Sequence, residues 1–170
     1  MKAFDNKATP KTRIRMATAS DATFVAAIEN DVELKRLLGE PSGKSEECYR
    51  KFLSGTKDLR FLVVESLATG CPIALCGLLT TLLSDDCEIR VIVAKDYWGQ
   101  GLGTEIAAAL KELAADIFPT KVLTARVHPD NAASLAIIRK LGLAENGIVT
   151  SDSYDNGWIK FSQPVLTQTI

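Results

Sequence analysis

Three glycines at alternate positions, Gly99, Gly101 and Gly103, lie between a β-branched run that ends at Val93 and an Ala- and Leu-rich run that Pro119 terminates. A strand passing through such a loop into a helix constrains both fold and ligand. Glycines let backbone N–H groups approach a bound group closely, and the helix N-terminus adds unpaired donors and partial positive charge. Together these suit a phosphate or pyrophosphate. The plainer reading is a turn that allows close strand–helix packing. A dinucleotide fingerprint asks for G-x-G-x-x-G opening the helix directly after a strand, with an acid about twenty residues on. Here the pattern is G-x-G-x-G-T, and five residues separate Val93 from Gly99. A P-loop is excluded, because no Gly-Lys-Ser/Thr follows.

The residues around the loop predict a mixed α/β domain with a largely antiparallel start. Residues 13–16 alternate as a half-buried strand. Ser20-Asp21 opens a helical region in which Phe24, Val25, Ile28, Val32, Leu34 and Leu37 recur at helical spacing, closed by Gly39, Pro41 and Gly43. A short helix follows from Ser45. Residues 61–65 and 72–83 read as a hairpin around Ala68-Thr69-Gly70. Then come a strand at 87–93, a helix at 101–117, a strand at 121–127, and a helix at 131–141 ended by Gly142 at C′. The tail, 144–161, reads as two strands around Asp155-Asn156-Gly157. No repeat or linker divides the chain, so the expectation is a tail at 1–11 and a single domain over 12–170.

Net charge is −1, which gives no global basic field for nucleic acid or an anionic membrane. Lys2, Lys7, Lys11, Arg13 and Arg15 at the start read as a solvated tail leading into a strand. Cys48, Cys71, Cys76 and Cys87 form no C-x-x-C pair and have no His at metal-ligand spacing, so no metal site is expected. Met1 to Arg15 lacks an apolar core of a signal peptide. The cysteines therefore read as reduced thiols in a cytoplasmic protein. The apolar stretch at 72–83 is too short to span a membrane.

Tyr97-Trp98-Gly99-Gln100-Gly101-Leu102-Gly103-Thr104-Glu105 resembles the Q/R-x-x-G-x-G/A motif of GNAT-family acetyltransferases, in the form of the RimJ/RimL-type branch. The run Val127-His128-Pro129-Asp130-Asn131-Ala132-Ala133-Ser134-Leu135, ending in Lys140-Leu141-Gly142-Leu143, is similar to that family's second signature. The resemblance implies a GNAT-like acyl-CoA N-acyltransferase fold, a central, largely antiparallel sheet flanked by helices. It also implies acetyl-CoA as acyl donor, in a V-shaped opening between the strands at 87–93 and 121–127. The pyrophosphate would take backbone N–H groups from Gly99, Gln100, Gly101, Leu102, Gly103 and Thr104. The pantetheine would pair like an added strand with Val91, Ile92 and Val93, and the N–H of Ile92 or Val93 would face the thioester carbonyl. Asn131 would reach the pantetheine, or cap its helix, or both, with Ser134 one turn on.

Direct transfer needs a neutral amine, a polarised carbonyl and an acid for the thiolate. Deprotonating a lysine amine at pH 7 costs about 4.6 kcal/mol, an α-amine about 1. Glu88 stands at a position that matches a frequent family glutamate; it reads as the base or as a salt-bridged edge carboxylate, with Arg90 two residues on as its partner. Asp85 and Asp86 read as turn residues or as recruiters of a cation. Where many relatives carry a tyrosine seven residues after the asparagine, this chain has Ile138, which leaves Ser134, a water or Tyr154 as the acid. His128 reads as a turn residue and Cys87 as a packed thiol. The expected activity is acetyl transfer to a primary amine, a protein N-terminus or a small molecule. The alternatives are a catalytically weak acyl-CoA-binding or sensor module and an NAD-binding protein. Acceptor specificity is expected from residues 32–52 and 151–158. The last strands offer an edge for a homodimer.

Overall fold

A computed structural model of the chain describes residues 4–38, 43–55, 57–151 and 154–164. Eight strands form one sheet in the order β1-β2-β3-β4-β5-β6-β8-β7. They are β1 (Lys7–Ala8), β2 (Thr12–Met16), β3 (Leu62–Ser66), β4 (Pro72–Thr80), β5 (Asp86–Val93), β6 (Val122–Val127), β7 (Ala144–Ser151) and β8 (Tyr154–Pro164). Every neighbouring pair is antiparallel except β5 and β6. Helices α1 (Ala22–Asn30), α2 (Val32–Leu38) and α3 (Glu46–Leu53) belong to one face; α4 (Leu102–Ile117) and α5 (Ala132–Lys140) cover the other. The largely antiparallel mixed sheet is the expected one.

The two faces follow from period-2 alternation. On β5, Cys87 and Ile89 join the core under α4, while Ile92 joins the cluster of Val25, Ile28 and Leu53 on the opposite side. Leu102, Ile106, Leu110, Leu113 and Ile117 form one stripe of α4, and Ala107 and Ala114 keep that helix close to the strands. Phe118 caps it before Pro119.

Several boundaries depart from the sequence reading, each for a local reason. The single helix expected over residues 24–37 is broken in two at Asp31, whose backbone is extended (ψ 123°). Its carboxylate accepts the N–H groups of Glu33 and Leu34, both at 3.0 Å, and so starts α2 anew. Gly39 and Pro41, expected to end that region, lie outside the described residues. β4 stops at Thr80, and Leu82 and Leu83 are fully exposed in the loop beyond it. Asp155-Asn156-Gly157 is not the turn but part of β8. Ser151 pairs with Tyr154 and Val149 with Trp158, so two extra residues bulge from β8, and Gly157 takes φ +67° there.

The amino terminus is also not a solvated tail throughout. β1 pairs with β2, Lys7 reaches Glu112 on α4 at 2.7 Å, and Glu105 of α4 takes the Thr9 hydroxyl and the Lys11 N–H. Arg15 holds Asp21 bidentately (2.7 and 2.8 Å) and Glu65 at 2.6 Å, tying β2, the turn before α1, and β3 into one buried network.

Candidate active site

The site arises where the parallel pair of strands, β5 and β6, comes apart. β5 and β6 are in register at Asp86–Val122, Cys87–Leu123 and Glu88–Thr124, and no further. Beyond Glu88, β5 keeps its pairing with β4 and β6 keeps its pairing with β8. Residues 89–93 and 125–127 thus leave facing backbone edges unpaired with each other. The cleft between them has a volume of about 480 Å³, well within the range of small-molecule sites.

Alternation decides which groups point into it. Asp85 O accepts the Val122 N–H at 2.7 Å, and Ala94 N–H donates to Ile73 O at 2.9 Å on the other side. The N–H groups of Val91 and Val93 therefore face the cleft, whereas that of Ile92 faces Leu75 of β4. Of the two N–H groups expected from the sequence to face the thioester carbonyl, that of Val93 is on the cleft side of β5 and that of Ile92 is on the β4 side. The Val93 carbonyl is already taken by the Trp98 indole N–H, at 2.7 Å.

The glycine loop closes the wide end. Gly99 and Gly101 have φ +75° and +77°, and Gly101 caps α4 without any side-chain bond. Among the described residues, the first-turn N–H groups of Leu102, Gly103 and Thr104 thus have no helical or side-chain partner. A Cβ on Gly103 would sit 2.9 Å from Ile137 Cδ1 of α5, so α4 and α5 meet closely beneath the loop. Gly99, Gly101, Leu102, Gly103 and Thr104 line the cleft; Gln100 is exposed and outside the lining. An open strand edge leading to unpaired helix N–H groups is a shape and donor set that fits a pantetheine arm ending in a pyrophosphate.

Asn131 caps α5, its Oδ1 accepting the Ser134 N–H at 3.0 Å. Its amide NH₂ has no bond among the described residues, so capping leaves it available to a ligand. Ser134 and Ile138 line the same wall, Ile138 buried where an acid would stand.

At the narrow end, Glu88 lines the cleft and takes a bond from Arg126 Nε at 2.8 Å. Arg90, the partner expected for it, pairs instead with Glu29 of α1 at 2.9 Å. Asp86 is bound by Lys160, also at 2.8 Å. His128 Nδ1 accepts the Asp130 N–H at 3.2 Å, which in the neutral ring leaves the proton on Nε2, a donor and not a base. Its ring stands edge-on to Trp158, 5.7 Å away. Arg126 is not singled out by the sequence, since its role depends on strand register; Trp98 enters there as part of the glycine motif and Trp158 as the end of the 151–158 segment. The side chain of Tyr154 lies outside the described residues.

Burial pushes the Cys87 thiol up to about 11, against a smaller opposing pull from Lys121, and raises Cys76 as well. A neutral, enclosed thiol is no nucleophile at pH 7. With Cys48 and Cys71 exposed, iodoacetamide at neutral pH is expected to label those two and spare the other pair. Peptide mass mapping reads the outcome.

Residues 11–144 match the family model described as acetyltransferase (GNAT) domain. The chain belongs to this family. It is an N-acetyltransferase with acetyl-CoA as donor, and the NAD-binding reading falls away. No curated protein matches this GNAT domain by sequence. Among solved structures it is similar to the ribosomal-protein-S5-alanine acetyltransferase of Vibrio fischeri (17% identity, TM-score 0.78, covering 95% of this chain and 97% of that one). A GNAT-family acetyltransferase from Bacillus anthracis gives 16%, 0.77, 93% and 96%. Spermidine N-acetyltransferase from Vibrio cholerae, solved with CoA and spermine, gives 17%, 0.77, 91% and 95%. At such identities the likeness shows the GNAT fold alone. Among the described residues no helix is long and apolar enough to cross a membrane, and no group of His, Cys, Asp or Glu is arranged to hold a metal.

Proposed function

We propose that this GNAT domain moves an acetyl group from acetyl-CoA directly to a primary amine, a protein N-terminal α-amine or a small amine, in the manner of the RimJ/RimL-type branch. The observation that carries this reading is the end of β5–β6 pairing at Glu88–Thr124. It leaves one open strand edge running from the glycine loop to a carboxylate. Val91 and Val93 would hold the pantetheine, Gly99 and Gly101 to Thr104 the pyrophosphate, and the Asn131 amide the arm between them. The Val93 N–H would polarise the thioester carbonyl.

Glu88 is the base. It takes one proton from the bound ammonium, and the freed lone pair forms the N–C bond as the C–S bond breaks. The second amine proton ends on the departing sulfur, relayed by the Ser134 hydroxyl or a water, because Ile138 has no proton to give. Most of the remaining rate comes from alignment. Glu88→Gln keeps the size and loses the base, so its kcat is expected to fall by about 10²–10⁴ with the Kd for acetyl-CoA unchanged. Steady-state thiol release and isothermal titration measure the two. An unchanged kcat removes Glu88 from the mechanism.

β7 closes one edge of the sheet with Ile148 exposed on it, which supports pairing with a second copy. Light scattering tests this. The composition favours a cytoplasmic setting.

A further inference from the structure

The acceptor arm of the cleft has an unusual charge arrangement, and it bears on which amine is taken. Alternation puts Glu88, Arg90 and Ile92 of β5 on the face toward α1, opposite the Cys87–Ile89 side. On β6 the same parity gives that face to Thr124 and Arg126, since Leu123, Ala125 and Val127 belong to the core under α4. Glu88 is the one carboxylate among the described residues lining the cleft, against Arg90, Arg126 and His128. Of the acids near it, Glu29 is engaged with Arg90, Asp86 with Lys160, and Asp31 and Glu33 with Lys95, while Asp85 is exposed and outside the lining.

Among the described residues that line the cleft, a polycation would find a single carboxylate, and that one is already paired with Arg126. An ammonium that reaches Glu88 either shares the carboxylate with the Arg126 guanidinium, which bonds it through Oε2 alone, or takes the place of that guanidinium. That exchange is cheap to begin, because the Glu88 and Arg126 side chains are 23% and 41% exposed and a pair so solvated contributes little. It is completed without loss only if the acceptor brings an anion for the released guanidinium. An acceptor with an amine and a carboxylate a few bonds apart can place the one on Glu88 and the other on Arg126, since these side chains stand next to each other on the cleft wall. The guanidinium fork suits a carboxylate, and the His128 Nε2–H adds a donor on the same wall.

We propose that the acceptor is a small zwitterion, a primary amine that carries its own carboxylate as a free amino acid does, bound by exchange with the Glu88–Arg126 ion pair. This rests on the acetyl-transfer reading above and narrows its substrate class.

The test is thiol release from acetyl-CoA with α-amino acids, each beside its own carboxamide, and with spermidine. Amidation lowers the amine pKa and so favours the carboxamide chemically; a preference for the free acid therefore reports recognition. The expected result is a kcat/KM about tenfold or more higher for at least one acid than for its amide, carried by KM, with spermidine poorer still. Arg126→Met is expected to bring that ratio close to one. Transfer to amides or spermidine as fast as to acids, or a ratio that Arg126→Met leaves intact, overturns the substrate class and leaves acetyl transfer standing. No release with any amine while acetyl-CoA binds overturns both.

Discussion

Gly101→Val is expected to weaken acetyl-CoA binding by about 100-fold, whereas Gly70→Val leaves it unchanged. Both glycines have nearly the same left-handed backbone, φ +77° and +70°. A β-branched residue pays the same strain of about 1–2 kcal/mol at either position. Gly70 sits in the exposed β3–β4 turn, far in sequence from the cleft. Gly101 is the cap of α4, beside the unpaired N–H groups of Leu102, Gly103 and Thr104. Turning that backbone, or placing a branched side chain over it, removes one or two hydrogen bonds to a charged group, each worth about 1.5–3 kcal/mol. A hundredfold is about 2.7 kcal/mol. Isothermal titration gives the affinities, and urea unfolding of both variants separates strain from ligand loss. Equal affinities would mean that the loop does not hold the donor.

The second large effect concerns stability. Arg15→Met is expected to cost about 3–5 kcal/mol, a large part of an ordinary domain's 5–15. Arg13→Met, on the same strand but half exposed, should cost about 0–1 kcal/mol. The difference lies in what each leaves behind. Without Arg15, Asp21 is buried among the first turns of the helical face with only Thr18 to bond it. The pH dependence has a definite sign. Burial alone would raise Asp21 and Glu65. The guanidinium hydrogen bonds outweigh it, those of Arg15 with Thr18 at Asp21 and those of Arg13 and Arg15 at Glu65, and both carboxyls lie below their ordinary values. Their contribution is therefore complete above the usual carboxylate range and fades as pH falls through the depressed folded-state values. The gap between wild type and Arg15→Met in urea midpoints should accordingly be widest near neutrality and narrow in acid. A gap that widens in acid contradicts the assignment.

The elements with strong periodicity were legible from residues alone. The helix from Gly101 to Ile117 and the strand leading to Val93 could be read from an apolar stripe, a β-branched run and the glycines between them. Signals that serve two local structures were not. Asp155-Asn156-Gly157 is a turn composition, and it supplies instead the positive φ of a bulge inside β8. Asp31 interrupts an unbroken helical pattern because a carboxylate can cap the next helix as readily as it can sit on the face of one. At the site, the family resemblance pointed to Glu88, Asn131, Ser134 and the three glycines, and all of them line the cleft. The resemblance could not give partners. Glu88 meets Arg126, thirty-eight positions away, because β5 and β6 lie parallel across an intervening helix, and Arg90 is drawn to Glu29 by the same alternation that separates it from the α4 core. The direction of the Ile92 N–H is also a matter of register, and no composition encodes it.

Trp98 and Trp158 are the chain's two tryptophans, and both line the cleft, one by the glycine loop and the other against His128. Tryptophan emission, excited beyond the tyrosine band, therefore originates at the walls of the active site. Occupancy of either end should alter the spectrum of the unlabelled protein, and replacing one indole with phenylalanine would assign a signal to donor or to acceptor. The indole at the Val93 carbonyl makes the donor end the more sensitive of the two, since a guest along that edge changes its hydrogen bond as well as its solvent.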